Sequence, residues 1–469
     1  DTDGLTVGGI GATTGVTTTG SNISITAGSI TVNEALTAGS AGNITLTTTS
    51  TLGAGTLTLN ANLDAAGDDI FLVSADNINQ TGGTLSAANL TVTAVDGAVL
   101  TGVNNVALLE ATISGTGAFS YTDADALSVG GIGATVGVQT TDGAVTLTTT
   151  NGTLTVNEAV TSGNNQGVTL VAGGANGTLA LGASVSAGTG AMSLTSANTI
   201  NQTAGTITAG DLTVSAAGAV LTQANDVDGL EANITGTNDF SFTDADDLAL
   251  GFTGGITGVT TTDGTITVTT GGTLTVAETV TAGGSGDIAL VATGGTSDLV
   301  LTAGVVATGN NVLLSAGDEL SGAGGITASG LAIQAASVSA TIPVDVTTLA
   351  ANITGTGAFS FTDANDLTIG SITVAGNTVT GVTTSNGAVT LTTTDGVLTV
   401  DAAVTSGNNQ GVTLTAGSTG SNATLTLNAD VSAGSGAMSL TSANTINQTA
   451  GTITAGDLTV SAAGAVLTQ

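Results

Sequence analysis

The chain has 469 residues, 34 of them Asp or Glu, and no Lys, Arg, His or Cys, so its formal charge at neutral pH is −34. Without basic side chains it has no surface for nucleic acid, and an anionic membrane repels it. Imidazole bases, thiolate nucleophiles, Schiff-base lysines and the usual zinc, haem and iron–sulfur ligand sets are excluded as well, which removes most enzyme classes.

Disorder and membrane insertion are both disfavoured. The hydrophobic fraction is 41% and mean hydropathy is +0.45, with apolar residues placed at alternating positions, unlike a disordered chain. Every apolar run is broken by Thr, Ser, Asn or Gly before it could cross a bilayer as a helix, and seven Phe and one Tyr cannot form the girdles of a membrane barrel. The opening segment DTDGLTVGGIGATTGV returns as DADALSVGGIGATVGV from Asp123, and no signal peptide is legible ahead of it. The chain is therefore expected to be a piece of a longer protein.

Taken in order, the segments read as strands. ITLTTT from Ile44, TLTLNANL from Thr56, LTVSAA from Leu212 and GTITVTT from Gly264 alternate apolar residues with Thr, Ser or Asn. Val, Ile and Thr favour this backbone because branching at Cβ restricts the first side-chain torsion. No capped segment with helical period stands out, so the expected fold class is all-β.

Self-similarity organises these strands. The aromatic segment FSYTDADAL starts at Phe119, FSFTDADDL at Phe240 and FSFTDANDL at Phe359, spacings of 121 and 119 residues. Glu34, Glu158, Glu278 and Ala402 form a second anchor, and residues 190–223 recur without change at 436–469. Four long repeats of about 120 residues result, at 1–122, 123–243, 244–362 and an incomplete 363–469, expected to form one continuous solenoid. A shorter step lies within: Val145, Val168 and Met192 are separated by 23 and 24 residues, and Val389, Val412 and Met438 by 23 and 26. Tandem β-sandwiches would use the Gly-containing dipeptides as hairpin turns, but they call for more aromatic core residues and leave the short period unexplained. Coils of 23–26 residues with three short sides explain both, so a parallel β-helix is expected. About 20 such coils at ~4.8 Å would reach about 95 Å.

The stretch GNITLTTTSTLGAGTLTLNANLDAAGDDIFLVSADNINQTGGTLSAANLTVTA, residues 42–94, resembles the filamentous-haemagglutinin-like surface proteins of bacteria in repeat style, and the likeness extends over the chain. That resemblance implies a right-handed parallel β-helix, secreted and displayed outside the cell. The amino-terminal secretion module of that family is not among these residues, so the export route stays open.

Four features are candidate sites. The acidic turn after each aromatic pair carries Asp123 and Asp125, then Asp244, Asp246 and Asp247, then Asp363 and Asp366. Carboxylates at this spacing suit calcium, although the full calcium-loop patterns are missing; the competing reading is a solvated corner held by Asp bonding its own backbone. Two carboxylates could in principle hydrolyse a glycosidic bond, but the acids recur once per repeat rather than converging, and no catalytic residue is assigned. The pairs Phe119/Tyr121, Phe240/Phe242 and Phe359/Phe361 each point one way, as a glycan platform or, on the better reading, as core. Thr runs at Thr48 and Thr148 are too irregular for a flat ice-binding array, and Asn43, Asn233 and Asn352 are expected to build inward corner ladders rather than glycan attachment sites.

The functional expectation is a non-enzymatic structural protein, a segment of an extracellular β-solenoid fibre in cell-surface, biofilm-matrix or adhesive structures. The alternative is a glycan- or calcium-dependent adhesin on the same scaffold. No resident cofactor is expected, with calcium as the one candidate ion. Self-association end to end or laterally is the expected partnership, with surface glycans as a further candidate, and lateral contact should strengthen as salt screens the charge.

Overall fold

The computed structural model describes residues 3–9, 11, 14–50, 54–65, 67–132, 137–252, 258–340, 344–417 and 423–468. The chain is all-β, a parallel β-solenoid of about 20 turns with about 22 residues per coil. It falls into two compact units, Asp1–Asp228 and Gly229–Gln469.

Alternation builds the coil. In Ile44–Thr48 and Val145–Thr149 every second residue is buried and the Thr between them is half-exposed. Apolar side chains then stack in register: Val145 pairs with Val168 and Val168 with Met192, Leu147 with Leu170 and Leu170 with Leu194. Each fully buried Leu, Ile or Val is worth about 1.5–3 kcal/mol, and a parallel ladder repeats that gain at every coil. The aromatic pairs lie inside, with five of the six rings no more than 1% exposed and Phe361 at 7%. The core reading of these rings holds.

The corners are polar and occupied. Thr149 Oγ1 donates to the Gly152 carbonyl at 2.9 Å, and Ser196 Oγ lies 3.0 Å from the carbonyl oxygens of both Gly177 and Thr199, with one proton to donate between them. At 163–165 the Gly-Asn-Asn turn holds Asn164 and Asn165 at positive φ, where Asn is better tolerated than most residues. Asn165 Oδ1 also accepts the Thr189 amide of the next coil at 3.0 Å. Asn43 bonds between coils too, accepting from the Asp69 amide at 3.1 Å, but it faces outward, and Asn233 and Asn352 are exposed. The inward corner ladders expected of these three residues are therefore not formed. Period two places each beside an inward Ile, on the opposite side of the strand.

Coil length departs from the 23–26 residues read in the sequence. Leu90 pairs with Leu109 and Leu331 with Leu349, steps of only 19 and 18, because Leu85–Ala94, Gly97–Ile113 and Ile326–Ala335 run through a corner without a turn. At the other extreme Ala351 pairs with Val382, a step of 31.

These irregular coils mark the junctions between long repeats. In the first unit, Asp69–Ser74 lies on one side of the coil, followed there by residues 89–94 and then 108–113. The next coil lays two strands on that side, Leu127–Val129 against Leu108 and Leu109, and Val138–Thr140 against Ala111, Thr112 and Ile113. Glu110 lies between the two, and residues 130–137 connect them in sequence. In the second unit, the side that carries Phe240–Asp244 and Ile266–Thr270 and runs to Thr348–Ile353 splits in the same way into Leu367–Ile369 and Val382–Thr384, opposite Ala350. In that unit the preceding connection, residues 251–258, joins Leu248–Leu250 and Val259–Thr261, which lie on the other two sides. Within the second unit the connections 251–258 and 370–381 thus join strands on different sides of the coil.

Candidate functional site

The recurring acid turn is not a solvated corner. Phe119–Asp123, Phe240–Asp244 and Phe359–Asp363 each bury residues one, three and five, so Asp123, Asp244 and Asp363 point inward with the aromatic rings and are at most 2% exposed. Asp123 Oδ2 accepts the Val106 amide and the Tyr121 hydroxyl, both at 2.9 Å, and its Oδ1 accepts the Asp125 amide at 3.0 Å. Asp363 accepts the Val346 amide at 3.3 Å and the Asn365 amide at 2.8 Å, and Asp244 the Asp246 amide at 3.2 Å. An ionised carboxylate is acceptor-only, which is what a pocket of converging donors requires.

Burial is the main influence on Asp123 and Asp363. It pushes the Asp123 carboxyl above the usual carboxylate range against the pull of the Asp125 and Val106 amides and the Tyr121 hydroxyl. Asp363 moves up for the same reason, and burial followed by the Asp123 charge drives the Tyr121 phenol well up. The other acids of the turn do not join these as ligands. Asp125, Asp246 and Asp366 sit outside the strand, and Asp247 and Asp366 accept the Thr273 and Val397 amides of the following coil at 2.6 and 2.7 Å. Among the described residues no group of three or more acids converges in a way that could hold a metal ion. What the arrangement does chemically is fasten one coil to the next.

A buried amide pair went unread in the sequence. Gln80 Nε2 donates to Asn104 Oδ1 at 2.8 Å, and Asn104 Nδ2 donates back to Gln80 Oε1 at 3.2 Å and to the carbonyls of Leu100 and Thr122 at 3.1 Å. Gln202 and Asn225 repeat the exchange at 2.7 and 3.2 Å. The paired NQT and AND or VNN segments were the available signal.

Glu110 also escaped notice. It lies on the outward side of its strand yet is 1% exposed, and its Oε2 accepts the Ile132 amide at 2.6 Å. Its Oε1 is buried without a hydrogen-bond partner among the described residues. Glu231 holds the matching place and accepts the Phe252 amide at 3.4 Å. The third copy has Ala350 there, and the segment between its flanking strands is four residues longer. We expect Glu110→Ala to cost about 1–3 kcal/mol, by stranding the Ile132 amide, and Glu110→Gln to cost little or nothing, since it keeps the acceptor and removes a buried charge. Chemical denaturation with amide exchange at Ile132 checks this; equal losses in the two variants would contradict it.

No family model matches the chain, and neither a curated protein nor a solved structure matches it. The filamentous-haemagglutinin-like resemblance accordingly goes no further, as a finding, than the β-solenoid fold.

Proposed function

We propose that the chain is a non-enzymatic structural protein, a segment of an extracellular solenoid fibre of the filamentous-haemagglutinin-like kind, serving a surface, matrix or adhesive layer. The observation that carries this reading is how the recurring polar side chains are used. Asp123, Asp363 and the Gln80–Asn104 pair are spent on joining successive coils, and they recur with the repeat instead of converging at one place. Duplication of such a coil lengthens the solenoid without a new fold, and residues 190–223 and 436–469 are one such block used twice.

Electron microscopy of the purified chain tests the proposal. Uniform thin rods are expected, and globules joined by linkers would refute it. Calorimetric titration addresses the calcium-dependent adhesin. Melting temperature should rise with any salt and calcium should bind diffusely, whereas saturation at a few ions per chain would favour the adhesin.

A further inference from the structure

Residues 370–381 form an element unlike the coils around it. Ser371–Val374 and Asn377–Thr380 pair antiparallel about a two-residue turn, Ala375–Gly376, with both turn residues at positive φ. That turn type matches the twist of a tight hairpin. Ile372, Val374 and Val379 are buried against an outward stripe of Ala289, Leu313, Ala332 and Ala350, neighbours in register on successive coils. Ala350 is the residue that replaces glutamate in this copy, and the apolar hairpin seats where the carboxylate would otherwise lie.

The other face of the hairpin is polar and exposed. Ser371 pairs its hydroxyl with Thr380, and Thr373 with Thr378, each at 2.8 Å. Val374 and Asn377 close the turn as a hydrogen-bonded pair, so backbone groups of Val379 also point into the hairpin while those of Thr378 and Thr380 point away from it. The two strands form a sheet of their own, leaving this outer edge without a ladder partner among the described residues. Proteins guard such edges with charge, proline or a bulge. Here there is none: a chain of charge −34 places no Asp or Glu in 370–381, and no Pro.

We propose that this hairpin is a self-association element, the edge at Asn377–Thr380 adding antiparallel to the same edge of a second copy. Charge decides the occupant. Two copies of so acidic a chain repel each other over most of their surface, and a neutral segment with unused backbone donors and acceptors is where they can touch. The contact is small, hence weak, and it strengthens as salt screens the surrounding acids. A monomeric rod would leave the structural reading above intact, so the two stand or fall separately.

The chain has no cysteine, which makes the test direct. Thr378→Cys supplies a single thiol at the edge, and Thr203→Cys a single thiol on an exposed position far from it in sequence. With a short thiol-to-thiol crosslinker, Thr378→Cys should give severalfold more covalent dimer than Thr203→Cys, increasingly so at raised salt. Adding Thr380→Pro to Thr378→Cys removes an outward N–H that the hairpin itself does not use, and the dimer should fall to the control level. Circular dichroism confirms that each variant keeps its fold. Equal yields from the two thiols, or a yield untouched by the proline, would overturn the proposal.

Discussion

Acidifying the protein from pH 7 to pH 3 should raise its melting temperature, by roughly 5–10 °C, the shift that about 2–3 kcal/mol produces in a long domain. Most proteins lose stability on this path because carboxylates paired with cations become protonated and net positive charge accumulates. Neither can happen here, since no side chain is cationic at any pH. The buried acids act in the same direction. Burial holds the Asp123 and Asp363 carboxyls above their ordinary values, so the fold binds their protons more tightly than the unfolded chain does. The penalty of burying these charges is present above the folded value, lifts as pH falls through it, and is gone below the unfolded value. Asp263 opposes this, because the Ser285 amide and hydroxyl hold it low, but it is fully exposed and its contribution is small. Association should follow the same course. As the carboxylates are neutralised the mutual repulsion of copies disappears, and at pH 2 no positive charge on side chains arises to disperse them again. Melting curves by circular dichroism, with light scattering at each pH, check both parts. A melting temperature that falls between pH 7 and pH 4, or clear redissolution at pH 2, would show that the charge argument is wrong.

The strands, their parallel stacking and the inward aromatic pairs were legible because alternation and a repeating step are local properties of a sequence. The short coils were harder to see. NLTVTAVDGAVLTGVNNVALLEATI offers a turn dipeptide only at Asp96–Gly97, so its strands run through corners that a fixed period of 23–26 would insert. The buried aspartates were legible in hindsight. Phe119, Tyr121 and Asp123 are successive alternate residues of one strand, and the pattern that placed the two rings inward places the carboxyl with them. Reading TDAD as a turn stopped the alternation one residue too early. Glu110 is different in kind, since period two correctly puts it outward and its contact with the Ile132 amide lies outside the strand's own pattern. Still, the exchange of glutamate for Ala350 coincides with a connecting segment four residues longer, a covariation within a single chain that pointed to contact between the two.

Replacing Asp123 should be the costliest single change at a repeat junction. Asp123→Ala leaves the Val106 amide, the Asp125 amide and the Tyr121 hydroxyl without their acceptor, two of them backbone groups, and a buried donor so stranded costs about 1–3 kcal/mol. We expect a total loss of about 3–6 kcal/mol, less than strict addition because the groups share one site. Asp123→Asn should fall between this and the native chain: its oxygen serves one set of donors while its NH₂ faces another, although a buried charge is removed. Tyr121→Phe should cost only about 0.5–1.5 kcal/mol, since Phe242 and Phe361 already fill that position in the neighbouring copies. Chemical denaturation of the three variants orders them, and repeating it with and without calcium and with chelator separates two roles for the same carboxylate. If Asp123 is an acceptor joining coils, the losses are the same under all three conditions. If it is a metal ligand, the native protein loses stability to chelator and Asp123→Asn does not, and the structural account of the turn fails.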